Sequence, residues 1–137
     1  MPTDSDCIFC KIVAGELPAR VVREDERTIA FMDIAPATYG HTLVIPRDHS
    51  RDLLEIPSAD LQAVAHTGQL VAQRAKERLG ADGVNLINSC GAAAWQTVFH
   101  FHLHVIPRYS DDPLRLPWVP TQGDPDEIAT AAAQLIG

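Results

Sequence analysis

Three histidines that alternate with apolar residues are the most restrictive feature of this sequence. His100, His102 and His104 lie within the run QTVFHFHLHVI at positions 96–106. Successive side chains of a strand point to opposite faces, so the three imidazoles would share one face at a spacing of roughly 7 Å. The apolar residues between them would then share the other face. We therefore predict a strand over residues 96–106 whose apolar face packs against a helix.

The rest of the pattern predicts an α+β fold. Apolar residues at spacings of three and four indicate a long helix that begins at Ser58, its N-cap, and stops at Gly80. The other predicted elements are a hairpin of strands at 27–33 and 42–46, a strand at 84–88, a short helix or turn at 11–20, and a last helix at 127–136. Strands on both sides of a helix, with short connections, are typical of a sheet with helices packed on one face.

The composition limits the classes of protein to which this chain can belong. With 137 residues, 46% of them apolar, it has the size and content of one ordinary domain. A formal net charge of −7 and scattered arginines argue against binding to long DNA or RNA, although a single nucleotide needs only a few donors. No apolar run reaches about 18 residues, so we expect no membrane span. The beginning MPTDSDCIFC lacks the pattern of a secretory signal, which favours a cytoplasmic location.

Two kinds of chemistry fit three imidazoles on one strand face. Three neutral rings can hold a catalytic zinc ion and leave one coordination position open. Alternatively, one ring attacks phosphorus while its neighbours donate hydrogen bonds to the phosphate oxygens. A histidine-rich polar face without any chemistry is the third interpretation. The spacing alone does not separate them.

Two cysteines near the start form a second group of candidate ligands. Cys7 and Cys10 have the spacing of two ligands of one tetrahedral metal ion. With Cys90 they make an odd count, and in a chain without an export signal this favours reduced thiols over a structural disulfide. The alternatives are a pair of buried thiols, or a redox dithiol, which would lack its usual βαβ surroundings here.

The residues around the histidines distinguish between these interpretations. Residues 96–108 resemble the signature of the histidine triad (HIT) superfamily, and the similarity extends to residues 30–36, 40–49 and 7–12. The short length of the chain and its N-terminal pattern are most similar to the branch of histidine triad nucleotide-binding proteins called Hint. The resemblance implies a single HIT domain over 1–137, with a core at about 7–108 and an extension at 109–137. It also implies an antiparallel sheet of about five strands that continues across a homodimer.

The same resemblance assigns roles to residues of the histidine strand. His102 would attack the α-phosphorus of a nucleoside 5′-monophosphate derivative and form a nucleotidyl-histidine that water hydrolyses, while a backbone carbonyl holds its other ring nitrogen. His104 would contact the phosphate, Gln96 would line the phosphate site, and Thr97 would pass a proton to the leaving group. Asp33 would accept hydrogen bonds from both ribose hydroxyls.

Further nucleotide contacts are implied by the resemblance. They are Ile8, Phe9, Ile12, Phe31, Met32, Ile34 and Asn88, in addition to Asp33, Thr97, His102 and His104. The apolar members would form a slot for the base, although plain core packing explains Phe31 and the isoleucines as well. We expect His41 near the active histidine. One departure from the family pattern is Trp95, which occupies the place of a glycine before Gln96 and could narrow the leaving-group side or pack against a neighbouring subunit.

The resemblance also completes a metal site. Some members of the family carry a structural zinc ion, and His49 and His100 align with the positions that would join Cys7 and Cys10 as ligands. The predicted cofactor is therefore one structural zinc ion, with no organic cofactor.

The functional prediction is a cytoplasmic, homodimeric hydrolase or transferase that acts on purine nucleoside 5′-phosphoramidates or related nucleotide esters. A tail containing Leu116, Pro117 and Trp118 would reach toward the partner's active site. Three alternatives remain: a dinucleoside polyphosphate hydrolase of the same superfamily, a non-catalytic nucleotide-sensing protein, and a three-histidine metalloenzyme. Neither a nucleic acid polymer nor a membrane is expected as a partner.

Overall fold

The computed structural model describes residues 3–137 and contains a single sheet with helices on both sides of it. The elements are α1 (Ile8–Val13), β1 (Val21–Glu24), β2 (Thr28–Met32), β3 (Thr42–Pro46), α2 (Ser58–Leu79), β4 (Gly83–Ile87), a 3₁₀-helix (Ala92–Ala94), β5 (Leu103–Arg108) and α3 (Pro125–Ile136). Within the described residues, no helix combines the length and the apolar character needed to cross a membrane.

All strand pairings in the sheet are antiparallel. The spatial order is β1-β2-β3-β5-β4, so β1 and β4 form the two edges. This confirms the predicted α+β class and the five-stranded antiparallel sheet. The prediction that the helices pack on one face is wrong, since α1 packs on the face opposite α2. The first strand was not predicted, because all four of its residues are exposed and carry no alternating apolar pattern.

The prediction of a strand over the whole of 96–106 is wrong in its first part. Strand β5 begins only at Leu103. Its neighbour β3 ends at Pro46, which has no N–H group and whose carbonyl oxygen lies 2.9 Å from Nε2 of His100. The ladder therefore cannot continue, and the N–H group of Phe101 donates instead to the carbonyl oxygen of Ser50 at 2.7 Å. The alternation of faces nevertheless extends back to Phe101.

Each face of the sheet has its own apolar core. On one face, α2 packs over a cluster that includes Val64, Ala30, Val44, Phe101 and Val105. On the other face, α1 contributes to a second cluster, whose members are Cys7, Phe9, Cys10, Ile29, Phe31, Leu43 and Ile45. The sheet therefore separates the face that carries the two cysteines from the face that α2 covers.

The helix ends follow the predicted signals only in part. Helix α2 stops at Gly80, whose positive φ of 71° suits a residue without a side chain, as predicted. The prediction of Ser58 as the N-cap is wrong, since Pro57 occupies that position and Ser58 is the first helical residue. At α3 the Asp124 side chain accepts a hydrogen bond from the N–H group of Asp126, so the helix starts two residues earlier than predicted.

The approach of α2 to β5 depends on Gly68. A Cβ atom at this position would lie 2.9 Å from Cδ2 of Leu103, the residue between the second and third histidines. We expect Gly68→Val to lower the free energy of unfolding by about 1–3 kcal/mol through overpacking, although helix propensity alone favours valine over glycine. Urea denaturation measures the change.

The matched control for this prediction is Gln62→Val at an exposed position of the same helix. Its effect should stay within about 0.5 kcal/mol, as at other exposed positions. If Gly68→Val were as stable as the control, α2 would have room to move away from β5, and the close packing described above would not be required.

Candidate functional site

The three predicted histidines lie in different surroundings on the sheet face opposite α2. The ring centroids of His102 and His104 are 5.1 Å apart. The Phe9 ring packs edge-on against His102 at 5.2 Å and against His100 at 5.9 Å. His100 is directed toward the cysteine pair, and His104 toward His41. His100 therefore belongs to one group of side chains, with the cysteines, and His104 belongs to another, with His41.

His102 is held in one tautomer by the backbone. Its Nδ1 lies 2.8 Å from the carbonyl oxygen of His100, so this nitrogen carries the proton and donates it. The lone pair of the neutral ring is then on Nε2. Burial lowers the pKa of His102, opposed by the carbonyl hydrogen bond and by the Asp33 carboxylate. The ring is therefore neutral near pH 7, in the form that a nucleophile requires.

His104 is held in the opposite tautomer by a chain of hydrogen bonds. The N–H group of Ala37 donates to Nδ1 of His41 at 2.9 Å, so the neutral His41 ring carries its proton on Nε2. That nitrogen lies 2.9 Å from Nδ1 of His104, which accepts. The proton of His104 is consequently on Nε2. Burial, together with the neighbouring His102 and His41 rings, lowers the pKa of His104 to about 4.

Two polar side chains surround this histidine pair. Asn88 donates from Nδ2 to the carbonyl oxygen of His102 at 2.9 Å, and its buried Oδ1 has no hydrogen-bond partner among the described residues. Asp33 accepts from the N–H group of Ala35 at 2.8 Å, and its other carboxylate oxygen lies 3.4 Å from Nε2 of His41. A buried acceptor without a partner is costly unless a ligand or water supplies a donor.

The loop before the histidines is fixed by Gln96. Its side chain accepts from the N–H group of Gly91 and donates to the carbonyl oxygens of Arg51 and Val98, so both of its donor hydrogens are used within the protein. Gln96 therefore holds this loop in place. Trp95, just before it, has a positive φ of 75° and an indole that is 75% exposed. Such a backbone is strained for a bulky residue, and strained residues of this kind cluster at functional sites.

The structure brings together only some of the other predicted nucleotide contacts. Phe9, Phe31 and Ile12 belong to the apolar cluster beneath the histidines. Ile8 is about half exposed, while Thr97 and Ile34 are exposed. The Met32 side chain lies on the other face of the sheet, because it follows Phe31 directly in β2 and points the opposite way.

Cys7, Cys10, His49 and His100 converge as predicted. Their sulfur and nitrogen atoms all lie within 4.8 Å of one another. Nδ1 of His49 is 3.2 Å from Nδ1 of His100, and three sulfur–nitrogen distances are 3.3, 3.4 and 3.5 Å. A tetrahedral zinc site with ordinary bond lengths has nitrogen–nitrogen edges of about 3.3 Å and sulfur–nitrogen edges of about 3.6 Å. The donor set is therefore compatible with zinc.

The His100 ring is oriented for this cluster by its other nitrogen. Nε2 donates to the carbonyl oxygen of Pro46, so Nδ1 presents its lone pair to the cysteines and His49. An outer hydrogen bond of this kind accompanies most metal-binding histidines. This orientation of His100 also argues against the three-histidine metalloenzyme, because Nδ1 of His100 is directed toward the cysteines and His49. Within the described chain, His100, His102 and His104 do not form a common ligand group, since His102 belongs to neither of the two groups of side chains that could hold a metal ion.

Comparison with known proteins identifies the family. The chain belongs to the HIT domain family, whose model matches residues 14–111. An uncharacterized HIT-like protein of Methanocaldococcus jannaschii is 46% identical over 77% of this chain and 81% of its own length. The Arabidopsis thaliana adenylylsulfatase HINT3 is 38% identical over 79% of this chain, which spans 55% of that longer protein. Family membership supports a nucleotide-binding, hydrolase-like function.

Solved structures agree with this family and with the observed fold. The crystal structure of a Streptococcus mutans protein matches with a TM-score of 0.92 and 39% identity, covering 98% of this chain and 85% of its own. A zinc-bound histidine triad family protein of Mycobacterium smegmatis matches with a TM-score of 0.78 and 44% identity, covering 96% of each chain. The histidine triad nucleotide-binding protein of Candida albicans matches with a TM-score of 0.83 and 29% identity, covering 96% of this chain and 95% of its own.

Two backbone groups of the site were missed by the sequence analysis. The N–H group of Ala37 and the carbonyl oxygen of Pro46 set the proton positions on His41 and His100. No side-chain pattern predicts such backbone hydrogen bonds. The turn-rich APATYG segment indicates only that the chain folds back there, which brings Ala37 near His41.

The two tautomers can be observed directly by nuclear magnetic resonance of ¹⁵N-labelled histidine rings. Near pH 7 we expect the proton on Nδ1 of His102 and on Nε2 of His104. Because the pKa of His104 is lowered to about 4, its ring should remain neutral as the pH falls through about 6.5, where an unperturbed histidine becomes charged. Protonation of His104 near pH 6.5, or a proton on Nε2 of His102, would contradict the hydrogen-bond scheme.

Proposed function

We propose that this protein is a nucleotidyl hydrolase that cleaves purine nucleoside 5′-phosphoramidates or related α-phosphorus esters and anhydrides through a covalent intermediate on His102. The observation that carries the proposal is the pair of opposite tautomers. His102 offers a lone pair on Nε2 next to His104, whose Nε2 offers a proton. A nucleophile for phosphorus and a donor for a phosphate oxygen are thus available side by side.

In the first step, Nε2 of His102 attacks the α-phosphorus. The bond from phosphorus to the leaving nitrogen or oxygen breaks, and the leaving atom takes the bonding electrons and a proton, for which the exposed Thr97 hydroxyl is the proposed relay. The positive charge on the His102 ring is stabilised by its Nδ1–H bond to the His100 carbonyl. In the second step, water attacks phosphorus, the bond to His102 breaks, and the nucleoside monophosphate is released.

The nucleotide itself would be held by groups that the structure leaves available. The unpartnered Oδ1 of Asn88 can accept from the sugar, and the Asp33 carboxylate from the ribose hydroxyls. The partly exposed Ile8 and Ile12 of α1, backed by the buried rings of Phe9 and Phe31, would form the apolar surface for a purine base. An adenylyl substrate agrees with the name of the adenylylsulfatase relative.

We further propose one structural zinc ion bound by Cys7, Cys10, His49 and His100. The fit of the donor distances supports it, as does the zinc-bound relative. The ion would hold α1 against the segment before β5, and the His100 carbonyl that orients His102 belongs to this segment. Its role is structural, because four protein ligands leave no open position.

We also propose a cytoplasmic homodimer. Strand β4 is paired only on its β5 side, and Leu86 and Ile87 at this open edge are 49% and 43% exposed. An open edge with exposed apolar side chains supports continuation of the sheet into a second copy. The three free cysteines agree with a reducing compartment.

The first test of the proposed chemistry is His102→Ala. Turnover of adenosine 5′-phosphoramidate should fall by about 10³-fold or more, because the nucleophile is lost, while binding of adenosine monophosphate persists. The matched control is His66→Ala, at an exposed histidine of α2, which should retain full turnover. Rapid quenching of the unaltered protein should yield a nucleotidyl adduct by mass spectrometry.

Full activity of His102→Ala would overturn the assignment. Nucleotide binding without any turnover or adduct in the unaltered protein would instead identify a nucleotide-sensing protein. Faster turnover of diadenosine polyphosphate than of the phosphoramidate would identify the dinucleoside polyphosphate branch.

The second test is removal of a metal ligand. The unaltered protein should contain one zinc ion per chain, and Cys7→Ala should lose it and melt at a lower temperature, since binding of the ion contributes to folding. The matched control, Cys90→Ala, should keep both zinc content and melting temperature. Absence of stoichiometric zinc, with an unchanged melting temperature for Cys7→Ala, would exclude the metal site.

A further inference from the structure

A groove on the α2 side of the sheet has no role in the proposed reaction. It is an apolar cavity of about 320 Å³ between the second half of α2 and strands β1 and β2. Its apolar lining comes mainly from Val22, Met32, Leu70, Val71, Ala75 and Leu79. The groove lies behind the sheet as seen from His102, because Met32 and Phe31 point to opposite faces of β2.

Three arginines give this groove a positive charge. Arg23, Arg74 and Arg78 line it together with the apolar residues, and all three are exposed. Among the ion pairs of residues 3–137, none involves any of the three. In a chain with a net charge of −7, three free guanidinium groups around one apolar groove favour an acidic, amphipathic occupant.

Helix α3 has this complementary character. Ile128, Ala132, Leu135 and Ile136 follow one another at spacings of four, three and one, and therefore form one apolar stripe. Its cap and first turn carry Asp124, Asp126 and Glu127, and the helix contains no basic residue. All twelve of its residues are exposed. A twelve-residue helix is marginal in water by itself, so its apolar stripe needs a covering surface.

Helix α3 does not occupy the groove of its own chain. Tyr109 donates from its hydroxyl to the carbonyl oxygen of Tyr39, one of the groove residues, and the Arg108–Asp112 ion pair at 2.8 Å fixes the segment that follows. The tail thus starts beside the groove, yet α3 lies clear of the chain's own body. Coverage of 98% by the Streptococcus mutans structure requires that most of α3 be part of that match.

We infer that α3 of one copy of this chain docks into the arginine-lined groove of a second copy, in a reciprocal exchange. The apolar stripe of α3 fills the groove, and its acidic first turn lies near the arginines. A two-fold arrangement provides the same contact twice, so each copy gives one helix and receives one. This contact is separate from the open β4 edge, and a dimer through that edge would persist if the exchange failed.

Disulfide trapping between two different chains tests the exchange. A chain with Leu70→Cys in the groove is co-expressed with a differently tagged chain that carries Leu135→Cys on the stripe of α3. Mild oxidation should join the two tags in one covalent dimer, several-fold more than for the matched control Thr130→Cys, on the opposite side of α3. Reversing the charge of Arg74 and Arg78 to glutamate should lower the yield several-fold, and Asp126→Arg with Glu127→Arg should restore it.

Two outcomes would overturn the inference. If one chain carrying both Leu70→Cys and Leu135→Cys formed only an internal disulfide and stayed monomeric on a denaturing gel, the helix would occupy its own groove. If Leu135→Cys gave no more cross-linking than Thr130→Cys, with turnover and far-ultraviolet circular dichroism unchanged, something other than α3 would cover the groove.

Discussion

The hydrogen bond from the His102 ring to the His100 carbonyl is the interaction on which the site depends. It places the lone pair of His102 on the side away from the backbone. The same residue that provides the carbonyl is anchored twice through its own ring, by the Pro46 carbonyl and by the cysteine–histidine cluster. The orientation of the His102 ring is therefore set by groups of β3 and α1, without any contribution from a bound ligand.

Opposite proton positions on two adjacent neutral rings require different neighbours. His102 meets an acceptor, a backbone carbonyl, whereas His104 meets a donor, the His41 ring. His41 in turn depends on the N–H group of Ala37. Each ring therefore owes its tautomer to a backbone group at the end of a short chain of hydrogen bonds. The alternating side-chain pattern alone does not encode this difference in proton position.

The sequence predicted what its side-chain pattern could encode. Alternation predicted the histidines on the face opposite α2, the spacing of Cys7 and Cys10 predicted a pair of metal ligands, and Gly80 marked the end of α2. It failed where the backbone decides. The strand does not reach back to position 96, because Pro46 ends its neighbour, and β1 has no apolar pattern by which to recognise it. Met32 was predicted as a nucleotide contact because residues 30–36 were compared with the family motif as one continuous segment. That comparison ignored the alternation of a strand, in which neighbouring side chains point to opposite faces of the sheet.

The cysteine–histidine cluster has a consequence for the order of assembly. Its ligands come from three distant parts of the chain, and Cys7 and His100 are separated by 93 positions. Bringing the four atoms together carries the entropic cost of closing long loops, and pairing of the central strands and packing of the first helix offset this cost. We therefore expect the four ligands to meet late in folding, so that a bound zinc ion would stabilise chains whose topology is already correct and would not stabilise misassembled ones.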